Sequence, residues 1–308
     1  MVLTDQATTR GDRATPMRLA GKRAWRYTPL GRFLREPSAV FGAFVMCVLL
    51  ITAIGAPLLA PHDPALTNLR LRNMPPPWEA GGSTQHLLGT DPVGRDILSR
   101  IIYGARVSLS ISLIVTLLAA AIGILLGLLA GYYGGWLDQV VMRIADLFLA
   151  FPFILLAITI IAVLGAGIIN LIVVFVVAGW VSYARLVRGQ VLSIKQAQYV
   201  EAVRVAGARD SRVLMHHILP NVIAPVIVLA TLQIGGVVLA ESALSFLGLG
   251  VNPSTPTWGT MINEGRLYFY NAWWVITFPG LAILIAVLGI NMFGDWLRDV
   301  LDPTSQQV

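Results

Sequence analysis

Six long apolar stretches punctuate the chain: Val40 to Leu59, Val107 to Ala130, Trp136 to Leu164, Ile168 to about Tyr183, Val222 to Leu249, and Trp273 to Phe293. A helix needs about 20 apolar residues to cross a bilayer core. The second stretch is free of charge, the third carries charges only in its first turns, and the fifth contains one acid, Glu241. The strands of a membrane barrel alternate apolar and polar positions over about ten residues, and these runs are too long and too uniformly apolar for that. The pattern predicts an all-α integral membrane protein, a bundle of six transmembrane helices.

Composition agrees and removes the competing classes. Of 308 residues, 56% are hydrophobic and 12% charged, against about 45–50% and 25% in soluble domains. That excludes a soluble enzyme, a disordered chain and a collagen-like one. Cys47, the single cysteine, rules out an internal disulfide. The first apolar run starts about 40 residues in and exceeds the 7–15-residue core of a secretory signal, so it reads as a retained span.

Charge bias sets the orientation. The N-terminal tail holds Arg10, Arg13, Arg18, Lys22, Arg23, Arg26, Arg32 and Arg35. Its second half interleaves Trp25, Tyr27 and Phe33 with those charges, which suits a helix lying on anionic headgroups. With six spans, the tail shares a side with the loop carrying Arg185, Arg188, Lys195, Arg204, Arg209 and Arg212, and with Arg298. Those fifteen basic residues face six on the other side: Arg70, Arg72, Arg95, Arg100, Arg106 and Arg266. Both termini are therefore expected in the cytoplasm. The Arg95–Arg106 group sits awkwardly outside, offset in part by Asp91 and Asp96. Net charge is +6, but its spread over membrane-flanking segments argues against nucleic-acid binding. The chain divides into a basic segment (1–38), a first span (39–60), an outer loop (61–106), a core of five spans (107–296) and a C-terminal tail (297–308). A second outer segment, 250–271, holds Asn252, Pro253, Pro256 and Trp258.

The loop 185–221 is amphipathic. Apolar positions recur at helical spacing over 198–206, Gly207 then stops the helix, Asp210 or Ser211 can cap a second short helix reaching His217, and Pro220 suits the first turn of the fifth span. A protruding amphipathic helix either docks in a partner's groove or packs on its own bundle.

The residues Glu201-Ala202-Val203, Gly207 and His217-Ile218-Leu219-Pro220 resemble the "EAA…G…I-LP" loop of binding-protein-dependent ABC importer permeases. Val203 departs from the usual Ala, and His217 stands where the general pattern has Ile; the peptide and nickel branch has a similar His. The resemblance extends through LGTDPVGRDILSRIIYGARVSL (88–109), MRIADLFLAFPFILLAI (142–158), LAESALSFLGLGVNPSTPTWGTMINEGR (239–266) and FPGLAILIAVLGINMFGDWLRDVLDP (278–303). The N-terminal part is similar to the C-type permease of dipeptide and oligopeptide importers. The resemblance implies an ATP-driven peptide importer of the bacterial inner membrane. Its partners would be a second, unlike permease, two ATP-binding subunits and an extracytoplasmic binding protein. This chain would have no catalysis and no cofactor of its own, ATP and magnesium belonging to the ATPases. It implies coupling roles for Glu201, Ala202, Gly207, Leu219 and Pro220, and weaker ones for Arg204, Arg209 and Arg212. Arg204 can also simply pair with Glu201 at i,i+3.

Ionisable groups inside a membrane usually face a partner or a cavity. Asp138, Arg143 and Asp146 share one helix face, and Arg143 and Asp146 can pair, which reads as a structural ion cluster rather than a proton relay. Glu241 is either a pore or inter-subunit contact or a hydrogen-bonded structural acid. An ion-coupled secondary carrier using Glu241 and that cluster is the alternative function. Gly123, Gly127 and Gly131 repeat every four residues, a spacing that lets helices approach closely and fits a subunit interface. Pro152 and Pro279 are candidate kinks. There is no G-x-x-x-x-G-K-[ST] nucleotide loop. His216 and His217 are adjacent, unlike a zinc pair at i,i+4. His62 and His86 have no local partner in sequence.

Overall fold

The computed structural model describes residues 33, 35–252 and 254–301. The basic residues Arg10 to Arg32, Pro253 and the tail beyond 301 lie outside the described residues.

Helix α1, Pro37–Leu59, starts with proline in its first turn, where a missing N–H costs nothing. Helix α2, Ile97–Tyr133, is capped by Asp96, whose side chain accepts from the Ser99 backbone N–H. It begins ten residues before the expected second span, and its 37 residues are far longer than a hydrocarbon core requires. Its first turns therefore extend beyond the apolar stretch and carry Arg100 and Arg106. It ends at Gly134, φ 66°.

The expected third span is not one rod. Helices α3, Gly135–Ala150, and α4, Phe153–Leu164, meet at 91°. Pro152 forces the residue before it out of helical geometry, and Phe151 is extended, φ −101° and ψ 132°. Helix α5, Ile168–Ile194, runs well past Tyr183. Short helices α6, Gln198–Val205, and α7, Asp210–Val213, follow. A π-type turn, Leu214–Ile218, leads α7 directly into α8, Leu219–Phe246. Helix α9, Trp258–Gly265, starts with a capping box between Thr257 and Thr260. Helix α10, Trp274–Leu301, closes the bundle. Among the described residues, five helices are long and apolar enough to cross a membrane, and the bent α3–α4 pair can make a sixth span. The architecture is the all-helical membrane bundle that the apolar pattern predicts.

The closest packing joins α2 to α5. Gly123, Gly127 and Gly131 do not form a subunit contact in this chain but seat α5: a Cβ at Gly127 would lie 2.6 Å from the Ala184 carbonyl oxygen, and one at Gly131 2.8 Å from Val191 Cβ. Packing of this kind drives helix association in lipid. Gly127→Ala is expected to lower the thermal unfolding midpoint of the purified protein by an overpacking cost of about 1–3 kcal/mol. Gly189→Ala on α5, with nothing within 4 Å of the new Cβ, is expected to be neutral or to stabilise. Equal midpoints for the two variants would refute this account of the interface.

Candidate functional site

The segment between α5 and α8 lies at the end of the bundle where α2 terminates. Gly207 has φ 83°, a conformation that only glycine adopts without strain, and it turns the chain sharply between α6 and α7. Arg209, not Asp210, occupies the cap position of α7, with no side-chain cap bond. Asp210 instead accepts a 2.6 Å hydrogen bond from the Tyr132 hydroxyl. The guanidinium of Arg204 lies 4.8 Å from the Tyr132 ring centroid, a cation–π contact. The expected Arg204–Glu201 pair is therefore absent among the described ion pairs. One residue at the end of α2, Tyr132, thus clamps this segment to the bundle at two points, which local spacing does not show.

Burial separates the two faces of α6. Val200 is fully buried, and Val203 and Ala208 pack against the same core. The opposite face leaves Glu201, Ala202, Ala206, Gly207 and Arg209 exposed, with Val205 at 88% exposure. Leu219 is half-buried against the core and Pro220 is exposed. The outward surface is thus a small apolar patch framed by Glu201, Arg209 and Arg212.

The membrane-embedded charges are arranged differently from the sequence expectation. Asp146 pairs with Arg185, and Asp138 binds Arg188 through both oxygens, with Arg188 Nη2 donating over 2.6 Å. A bidentate pair of this kind is the stronger form of ion pair. Arg143 is exposed and makes no ion pair among the described residues. The partners come from the last turns of α5, which the apolar pattern assigns to a loop. The helix continues about three turns past the apolar stretch, and these turns carry both arginines. Lys195 Nζ donates to the Gly131 carbonyl over 2.8 Å, so α2, α3 and α5 are tied together beside the 198–209 segment.

Glu241 is fully buried. It accepts from Ser108 Oγ over 3.0 Å and from Ser245 Oγ over 2.7 Å, which joins α2 to α8. Its neighbours Val237 and Ala240, with Thr116, Phe148, Phe175 and Gln233, line an open cleft of about 370 Å³ between α2, α3, α4, α5 and α8. Glu241 is not among the residues lining that cleft.

At the far end of α2 two of the three awkward arginines, Arg95 and Arg100, are accounted for. Asp91 and Arg100 are each 1% exposed. Arg95 donates to Asp91 over 2.6 Å and to Glu264 over 2.7 Å. Arg100 Nη1 donates to Glu264 over 2.7 Å and also to Asp91. Two arginines meet two carboxylates, so this cluster is formally neutral and weighs less in the charge bias than a bare count implies. It fastens the loop before α2 to α9.

Residues 123–307 match the family described as binding-protein-dependent transport system inner membrane component. Residues 20–76 match the N-terminal TM domain of oligopeptide transport permease C. The chain is similar to the dipeptide transport system permease protein DppC of Escherichia coli strain K12, 46% identical over 92% of this chain and 93% of that one. It is 45% identical to the di/tripeptide transport system permease protein DppC of Pseudomonas aeruginosa strain UCBPP-PA14, over 88% of this chain and 89% of the relative. It is also 45% identical to the glutathione transport system permease protein GsiD of Escherichia coli O6:K15:H31 strain 536, over 88% of each. The fold is similar to a chain of the MetNI methionine ABC transporter in an inward-facing conformation, with TM-score 0.55 and 22% identity over 67% of this chain and 98% of that chain. With the helical bundle, the exposed α6 face and relatives spanning nearly the whole chain, the protein belongs to the family of binding-protein-dependent transport system inner membrane components, the permeases of ABC importers.

Proposed function

We propose that this permease forms half of the translocation pore of an importer for short peptides. A second, unlike permease supplies the other half. Of two ATP-binding subunits, one docks on the face of α6 that carries Glu201, Ala202 and Val205, and an extracytoplasmic binding protein delivers the substrate. ATP and magnesium reside in the ATPases. Both termini and α6 face the cytoplasm, and the cleft between α2, α5 and α8 belongs to the pore. The observation that carries this reading is Val205 on α6, 88% exposed beside a glycine-locked bend. Val205 stands with Glu201 and Ala202 on the unpacked face of an amphipathic helix whose other face is buried, and such a helix is a docking element for a partner's groove. Peptides are favoured as substrates by the dipeptide, di/tripeptide and glutathione transport named for the relatives.

Coupling then works as a two-state transition that nucleotide biases. The docked ATPase pushes on α6. The Tyr132–Asp210 bond and the Arg204–Tyr132 contact carry that displacement into α2, while the continuous run from α7 through α8 carries it along the cleft. The ion-coupled carrier is not favoured, because Glu241 is sealed between serines and Asp138 and Asp146 are taken up by arginines.

A cysteine at position 205 tests docking and orientation together. In a Cys47→Ser background, Val205→Cys is expected to crosslink to an ATP-binding subunit in membranes of cells expressing the whole transporter. It is also expected to react with a membrane-impermeant thiol reagent only from the cytoplasmic side. Labelling from the opposite side, or crosslinking to no ATPase, would reject this reading.

A further inference from the structure

Two histidines far apart in sequence come together at the end of the bundle opposite α6. His62 follows directly on α1, His86 lies in the loop before α2, and Asp96 caps α2. Their ligand atoms all lie within 4.8 Å of one another, and the two imidazole rings are 4.7 Å apart, centroid to centroid. We propose that His62, His86 and Asp96 form a binding site for a divalent transition-metal ion of the zinc class, which clamps the end of α1 to the start of α2.

Donor chemistry supports this before geometry does. Two imidazoles and one carboxylate are the nitrogen and oxygen ligands that zinc accepts, at about 2.0–2.2 Å, with water completing a tetrahedron. His86 Nδ1 is 2.9 Å from Asp96 Oδ1, and His62 Nδ1 is 3.8 Å from the same oxygen. These spacings suit atoms that share one small ion, after side-chain adjustments of the order of an ångström.

His62 supplies the observation that points to a ligand. Its Nδ1 is buried and has no hydrogen-bond partner among the described residues. A buried polar atom without a partner costs free energy, and an ion between it and Asp96 would remove that cost. His86 contributes a second lone pair once its proton moves from Nδ1 to Nε2. Ligand and proton then balance without any other group.

The supports around the site are in place. Asp96 Oδ2 accepts from the Ser99 backbone N–H over 2.8 Å and from Ser99 Oγ over 2.7 Å. These bonds fix the carboxylate and leave Oδ1 free for the ion once the His86 proton has moved. Ser99 Oγ also accepts from the His62 backbone N–H over 3.0 Å, so one serine sets the positions of two ligands. Outer-shell bonds of this type orient metal ligands and hold their affinity. Access is through His62, whose side chain is 34% exposed and lines an open cleft with Pro61, Asp63 and Tyr103. Asp96 and His86 are buried behind it. The site has a closed back and an open front.

The chain has four histidines, and the other two, His216 and His217, lie in the turn before α8. They provide the internal control. The full-length permease, carrying a tag without histidine and stripped with a chelator, is titrated with Zn²⁺ against a chromophoric chelator and with Co²⁺ by visible absorption. One equivalent is expected to bind, with the intense spectrum of low-coordinate cobalt. His62→Ala and His86→Ala are each expected to weaken binding about tenfold or more, and His216→Ala with His217→Ala to leave it unchanged. Zinc is also expected to raise the unfolding midpoint of the wild type and not of His62→Ala. If His86→Ala fails to fold, His62→Ala decides, because it leaves the His86–Asp96–Ser99 bonds intact. No stoichiometric binding, or binding that survives His62→Ala and vanishes with His216 and His217, would overturn the proposal.

Discussion

Val205→Asp and Glu201→Arg are each expected to leave the permease folded and in the membrane while reducing ATP-driven uptake about tenfold or more. Both positions are exposed on α6, so neither change opens a cavity or strands a buried charge, and surface substitutions of this kind alter stability by about 0.5 kcal/mol or less. A docking surface responds differently. Interface energy concentrates in a few central side chains, with losses of about 2 kcal/mol or more on truncation, and an aspartate at position 205 would carry an unpaired charge into an apolar contact. The measurement is paired. Retention of ATP-binding subunits during purification reports docking, and substrate-stimulated hydrolysis with uptake in membrane vesicles reports coupling. Loss of both with normal expression fits the lever described for α6. Wild-type stimulation and uptake in both variants would show that this face couples nothing.

The second large effect is on stability. Arg100→Met is expected to destabilise the protein by about 3–5 kcal/mol, the usual cost of removing one partner from a buried ion cluster. Asp91 and Arg100 are each 1% exposed, and Glu264 shares its Oε2 between Arg95 and Arg100. Without Arg100, two carboxylates would face one guanidinium in a site shielded from water. The loop before α2 would lose its hold on α9, where Trp258 Nε1 donates to the Ile101 carbonyl over 3.1 Å. A loss of this size is expected to cut the amount of protein in the membrane several-fold. Arg106→Met is the control, since Arg106 is exposed on the same helix. Adding Glu264→Gln to Arg100→Met should recover part of the loss by removing the excess charge. Thermal unfolding in detergent compares all three. A single variant as stable as Arg106→Met would show that the cluster is not a fastening.

Local periodicity in the sequence reveals the spans but not the start of α2 or the end of α5, whose charged turns run past the apolar stretches. Uniform apolar runs longer than any soluble helix needs imply spans, because lipid offers the backbone no alternative hydrogen-bond partner. Gly207 marked the turn after α6, and Pro152 marked a break after α3, since each residue restricts its own or its neighbour's backbone. The segment from Glu201 to Pro220 was recognisable as a motif before any packing was known. The 91° between α3 and α4 was not, because a proline breaks a helix without dictating where the chain goes next.

What the tertiary structure alone decided are the pairings between elements. Arg143 was the local partner offered to Asp146, and Glu201 the one offered to Arg204. The partners found are Arg185, 39 positions away, and the ring of Tyr132. Spacing along one helix tells which side chains can meet on that helix. Which residues of two helices meet depends on rotation and depth, and these are set by how closely the backbones pack, here by Gly123, Gly127 and Gly131 against α5. His62 and His86 looked isolated for the same reason: only the meeting of the α1 end with the α2 start brings them to Asp96.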